Sequence, residues 1–256
     1  MMTAISANGI TIEYETRGQS GDPALILIRG LGTQLINWPE NLLQRLVAAG
    51  FHVIIFDNRD AGLSTKFAAA GAMDVPDLMR RAKAGESIEV PYLLEDMAAD
   101  VIGLMDALNI ETAHIAGISM GGAIAQVLAA KHGGRLRSMT SIMAQSGNPD
   151  TPQGSPEAMA TLMRAGADES TREGAIEANV ETSRVLASPL YPTSEEDRRA
   201  MAERSYDRCH CPDGRTRQRA AIIRNGNRVP MLRTITIPCQ VIHGIANGVP
   251  ASSSVG

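Results

Sequence analysis

Residues 113–131 constrain the fold of this chain more than any other stretch. They read as a short apolar strand over 113–117, then Gly117-Ile118-Ser119-Met120-Gly121-Gly122, then an apolar helix over Met120–Lys131. A strand that passes directly into a helix needs a crossover before the next strand, so its neighbours in the sheet run parallel to it. Other segments fit the same plan. Continuous apolar runs at Ala24–Ile28 and His52–Phe56 suit strands buried on both faces. Segment 38–49 sets Leu42, Leu43, Leu46 and Val47 on one helical face and stops at Gly50. Segment 93–108 sets Leu94, Met97, Ala98, Val101, Met105 and Leu108 on one stripe. Residues 138–143 and Cys239–Ile242 read as further strands, and 3–6 with 10–15 form a hairpin about Asn8-Gly9. The expectation is an α/β fold with a mostly parallel, doubly wound sheet.

Between residues 146 and 230 the pattern changes to helical periodicity rich in Ala, Arg, Glu and Met, with no convincing strand. Residues 1–145 and 231–256 are therefore expected to form the core, and 146–230 a helical cap over the ligand end of the sheet. A length of 256 residues suits one large domain. With 24 basic and 28 acidic residues the net charge is −4, which offers no basic field for nucleic acid or anionic lipid. The chain has no apolar run of membrane-spanning length, and its first residues have none of signal-peptide length. Three cysteines, Cys209, Cys211 and Cys239, make no disulfide framework, so a cytoplasmic location is expected.

The chemistry concentrates at Ser119. Gly117-x-Ser119-x-Gly121 between strand and helix is the pattern of a sharp turn that lifts a serine hydroxyl to a helix N-terminus, where backbone N–H groups favour negative charge. Gly30-Leu31-Gly32 follows the strand Ala24–Ile28, and Asp57-Asn58-Arg59-Asp60-Ala61-Gly62-Leu63-Ser64 follows His52–Phe56. In the latter, carboxylate and guanidinium groups are expected to pin a long turn.

On these three motifs, in this order, the chain resembles the α/β-hydrolase superfamily over residues 1–247, and within it the small capped serine esterases. The resemblance implies a carboxylic ester hydrolase for small acyl esters, working through an acyl-serine at Ser119. It also implies that the N–H groups of Leu31 and Met120 form the oxyanion hole, and that neither cofactor nor metal takes part.

The sequence departs from the family pattern near its end. The position of the family's acid, after the strand Cys239–Ile242, holds Asn247 in His243-Gly244-Ile245-Ala246-Asn247. The family's histidine would lie one helix and one strand further on, so the reading is of a fold lacking that last helix and strand. Asp150 is an alternative acid position. Of the five histidines, His52 and His114 begin strands, at the wrong end of a parallel sheet, and His132 lies far down the helix after Ser119. His210, within Cys209-His210-Cys211, and His243 remain as replacement bases, neither of them assigned; adjacent residues of that tripeptide make a poor metal site. Two other readings stay open: an inactive hydrolase fold that binds small apolar ligands, and a non-hydrolytic relative such as a perhydrolase or lyase. An uncovered Cys239–Ile242 edge further leads to the expectation of a homodimer or larger homo-oligomer.

Overall fold

The computed structural model describes residues 2–151, 154–163 and 170–244. Its elements run β1 (Thr3–Ala7), β2 (Ile10–Arg17), β3 (Ala24–Ile28), α1 (Glu40–Ala48), β4 (His52–Phe56), α2 (Val75–Lys83), α3 (Leu94–Ala107), β5 (Ala113–Ile118), α4 (Met120–Lys131) and β6 (Leu136–Ile142). Then come α5 (Pro156–Met163), α6 (Arg172–Leu186), α7 (Glu195–Arg208), α8 (Pro212–Asn225), α9 (Val229–Leu232) and β7 (Cys239–Ile242). The strands form one seven-stranded sheet in the order β1-β2-β4-β3-β5-β6-β7. β1, β2 and β4 pair antiparallel, and all pairings from β4 through β3, β5 and β6 to β7 are parallel.

Side-chain alternation explains why β3 and β4 read as continuous apolar runs. Leu25, Leu27, Val53 and Ile55 face one layer, where Leu35, Trp38 and Leu43 of the α1 region cover them. Ile26, Ile28, Ile54 and Phe56 face the other, against α3 and α4. Both faces are thus dry, as a doubly wound sheet requires. On α3 the buried stripe is Leu94, Met97, Val101, Leu104 and Met105, and each such side chain contributes roughly 1.5–3 kcal/mol of burial.

Two features depart from the sequence reading. Helix α2 was not foreseen; Asp74 caps it through a side-chain bond to the Asp77 N–H, and Pro76 stands in its first turn. The strand expected over 138–143 runs instead over Leu136–Ile142, because Met143 turns the chain with φ +50°. Helices α5–α8 lie between β6 and β7. Within them Ile176, Val180 and Ala202 make a small core of their own, whereas Ala220 of α8 packs with Leu78 and Ile88 beside α2. Among the described residues β7 is the sheet's edge, with Val241 56% and Ile242 45% exposed. Residues after Gly244, Asn247 included, lie outside the described residues, and the expected loss of a last helix and strand falls outside them too.

Candidate active site

Ser119 stands between β5 and α4 with φ +55° and ψ −120°, a backbone state that a side chain rarely adopts. The surroundings hold it there. Its N–H donates to the Ile142 carbonyl at 2.8 Å, and its own carbonyl accepts from the Ala123 N–H at 3.1 Å. The flanking glycines are dictated by space. A Cβ on Gly117 would lie 2.0 Å from the Gly121 carbonyl oxygen, and one on Gly121 would lie 2.2 Å from that of Ile28. Both obstacles are backbone, so neither can swing aside. Gly121→Ala is expected to destabilise the fold by about 3 kcal/mol; denaturant unfolding that moves by less than about 1 kcal/mol would show that β3 can retreat from α4.

The loop after β3 comes alongside the serine: a Cβ on Gly30 would lie 3.3 Å from Ser119 Cβ and 3.8 Å from its Oγ. Among the described residues, no hydrogen bond takes the N–H of Leu31 or of Met120, and none engages the Ser119 hydroxyl. Thr33 closes this loop, its N–H and its Oγ1 both donating to the Gly30 carbonyl, at 3.3 and 2.9 Å. Arg29 donates through Nε to Thr33 Oγ1 and lies over the Trp38 ring, and burial pulls its pKa down to about 10.

The Asp57–Ser64 turn is pinned by charged groups as expected, but its partners are distant in sequence. Asp57 is fully buried; it accepts from the N–H groups of Leu35 at 2.7 Å and Leu63 at 2.9 Å, and pairs with Arg208 at 2.7 Å. Arg59 forms a two-bonded pair with Asp100 and lies over the rings of Phe67 and Tyr92. Asp60 takes two bonds from Arg217, both at 2.8 Å, and further bonds from the Tyr92 hydroxyl and the Phe67 N–H. Arg208 and Arg217 come from α7 and α8, so these helices between β6 and β7 are bolted to this turn. Sequence reading missed both arginines. The signal available was a surplus of carboxylates, Asp57 and Asp60, in a turn that buries them and so demands cations.

The histidines are scattered. His52 and His114 lie at the amino ends of β4 and β5, and His132 follows α4; burial above all holds all three below the usual imidazole value. His210 is exposed and stacks on Tyr206 with ring centroids 4.6 Å apart. His243 follows β7 directly, and the Met143 N–H donates to the Ile242 carbonyl beside it, which sets His243 at the carboxyl end of the sheet with Ser119. Asp150 is exposed and its N–H bonds Asn148 Oδ1, the geometry of a turn residue. No set of three or more His, Cys, Asp or Glu side chains is gathered to hold a metal ion among the described residues, and no described helix is long and apolar enough to cross a membrane.

A family model described as alpha/beta hydrolase fold matches residues 23–181. The chain belongs to that family. Over 139 residues this alpha/beta hydrolase is 30% identical to the rhodomycin D methylesterase DauP of Streptomyces sp. (strain C5), a match covering 54% of the chain and 41% of that relative. It is 31% identical to 3-oxoadipate enol-lactonase 2 of Acinetobacter baylyi over 49% of the chain and 38% of that relative. The matches thus span less than half the length of these curated relatives. In three dimensions it superposes on the meta-cleavage product hydrolase CumD from Pseudomonas fluorescens IP01 with a TM-score of 0.71 at 21% identity, covering 97% of this chain and 81% of the other. The enol-lactonase from Burkholderia xenovorans LB400 gives 0.67 at 24%, covering 95% and 81%. At these identities the superpositions show the alpha/beta hydrolase fold alone.

Proposed function

We propose that the chain is a carboxylic ester hydrolase that acts on small acyl esters through an acyl-serine at Ser119. One observation carries the reading: Ser119 stands in a strained backbone state at the start of α4 with the Gly30 loop alongside, and among the described residues no hydrogen bond takes the N–H of Leu31 or of Met120. Ser119 Oγ adds to the ester carbonyl carbon while its proton passes to a base. The carbonyl oxygen becomes an oxyanion held by those two donors. Collapse of the tetrahedral species breaks the ester C–O bond and expels the alcohol, whose oxygen takes up that proton. Water then adds to the acyl-serine, its proton passes through the base to Ser119 Oγ, and the carboxylic acid leaves. The names of its relatives, a methylesterase and an enol-lactonase, support the ester class. A fluorophosphonate probe tests the reading: phosphonylation of Ser119, located by peptide mass, is expected. An unlabelled Ser119 would leave an alpha/beta hydrolase fold that binds ligands without acyl transfer.

We further propose that β7, the sheet's edge among the described residues with Val241 and Ile242 exposed there, is the contact of a homodimer through antiparallel pairing with a second copy. Light scattering at micromolar concentration is expected to give twice the chain mass; a stable monomer contradicts the pairing.

A further inference from the structure

Gln218 is completely buried in α8, and the acyl-transfer steps above do not use it. Its Oε1 accepts the Gly32 N–H at 2.8 Å, while its Nε2 donates to the Arg59 carbonyl at 2.7 Å. One amide thus clamps two loops, the one leaving β3 and the one leaving β4. Residues 30–33 form a β-turn, with the Thr33 N–H to Gly30 carbonyl bond across it and Gly32 at φ +66° in its third position. Positive φ at that position marks the type II form, whose central peptide is rotated by about half a turn relative to type I. That central peptide joins Leu31 to Gly32, and Gln218 holds its N–H end. Space around it is already tight: a Cβ on Gly32 would lie 3.0 Å from Arg215 Cδ. One peptide earlier is the Leu31 N–H, on the part of the loop that touches Ser119.

We infer that Gln218 is a positioning residue for the oxyanion donor. It ties the loop leaving β3 to α8 and to the loop leaving β4 at Gly32, the residue next to Leu31, and so holds the segment that carries the Leu31 N–H in place beside Ser119. This rests on the reading of Ser119 as nucleophile and Leu31 as donor. Because α8 belongs to the helices between β6 and β7, the clamp also makes their docking a condition for a competent oxyanion site. A residue that merely packed α8 against the core would affect melting and leave the turnover of folded protein alone.

The wild-type chain is first treated with fluorophosphonate and assayed with p-nitrophenyl acetate. Gln218→Met, near in volume but without hydrogen bonds, is expected to lower both the labelling rate of Ser119 and kcat by about 10–100-fold, with KM within about twofold; outright removal of an oxyanion donor costs about 10²–10³-fold. Gln218→Glu keeps an acceptor for the Gly32 N–H and is expected to stay within about fivefold of wild type. A folded Gln218→Met protein with wild-type kcat overturns the inference while leaving the acyl-serine reading intact. Should Gln218→Met not fold, a loss of more than about 50-fold in folded Gln218→Glu overturns it equally. Absence of both labelling and turnover in the wild type instead sinks the acyl-serine reading, and this inference with it.

Discussion

Ser119→Ala is expected to lower kcat toward short p-nitrophenyl esters by at least about 10³-fold, because the covalent intermediate cannot form. The proposed oxyanion donors are backbone groups that the substitution leaves in place, so KM is expected to move little. The size of the effect separates two accounts of any observed hydrolysis. A general surface or buffer-assisted reaction would be indifferent to this one hydroxyl, and turnover unchanged in purified Ser119→Ala protein would rule out the acyl-serine route. Stability supplies a second readout. Ser119 holds φ +55° whatever its side chain does, and its hydroxyl has no described hydrogen bond to lose. Ser119→Ala is therefore expected to unfold near the wild-type denaturant midpoint. Ser119→Gly, equally inactive, is expected to be more stable by about 1 kcal/mol, since glycine takes positive φ without strain.

The largest stability effect is expected at Arg217. Its side chain is 1% exposed and that of Asp60 is 0% exposed, so Arg217→Met leaves a carboxylate buried with, among the described residues, only the Tyr92 hydroxyl and the Phe67 N–H to satisfy it. Breaking such a pair from one side costs about 3–5 kcal/mol, which for a chain of this size corresponds to roughly 10 °C in melting temperature. The exposed pair Arg184–Glu195 is the control, with side chains 51% and 60% exposed. Arg184→Met is expected to leave the melting temperature close to that of the wild type. Equal losses in the two variants would show that water reaches Asp60 and that the bolt between α8 and the turn is weak.

The range of the forces involved decides how much of this molecule is legible in its sequence. The ends of β3, β4, β7 and α4 could be read to the residue, because largely apolar runs stop at polar residues such as Arg29, Asp57, His132 and His243. The Ser119 elbow was equally plain, since its requirements are local: two glycines and a change of element within five residues. Helix α2 escaped although Asp74 and Pro76 mark its start and Val75, Leu78, Met79 and Ala82 recur at helical spacing, because the stretch is short and four of its nine residues are charged. The partners of the Asp57–Ser64 turn escaped for another reason. Asp57 meets Arg208 and Asp60 meets Arg217 across more than 150 residues, and no periodicity encodes such a pairing. Gln218 ran against hydropathy altogether: Arg217-Gln218-Arg219 looks like a solvated helix face, yet all three are buried.

The fastening of α8 bears on how insertions are exchanged between relatives of this architecture. Helices α6 and α7 share a small apolar core that is theirs alone, built from Ile176, Val180 and Ala202. Helix α8 instead spends its interior contacts on Asp60, Arg59, Gly32 and the neighbourhood of α2. A graft that swaps foreign helices in as far as the extended joint at Cys209–Cys211 carries over a unit with its own packing, provided that the donor supplies a cation for Asp57 and acceptors for Gln34 and Asn37. A graft that runs on through Asn225 removes the counterion of one buried carboxylate and the bracket of a backbone loop together. The natural seam for recombination therefore falls before Pro212, inside the stretch that sequence composition presents as continuous.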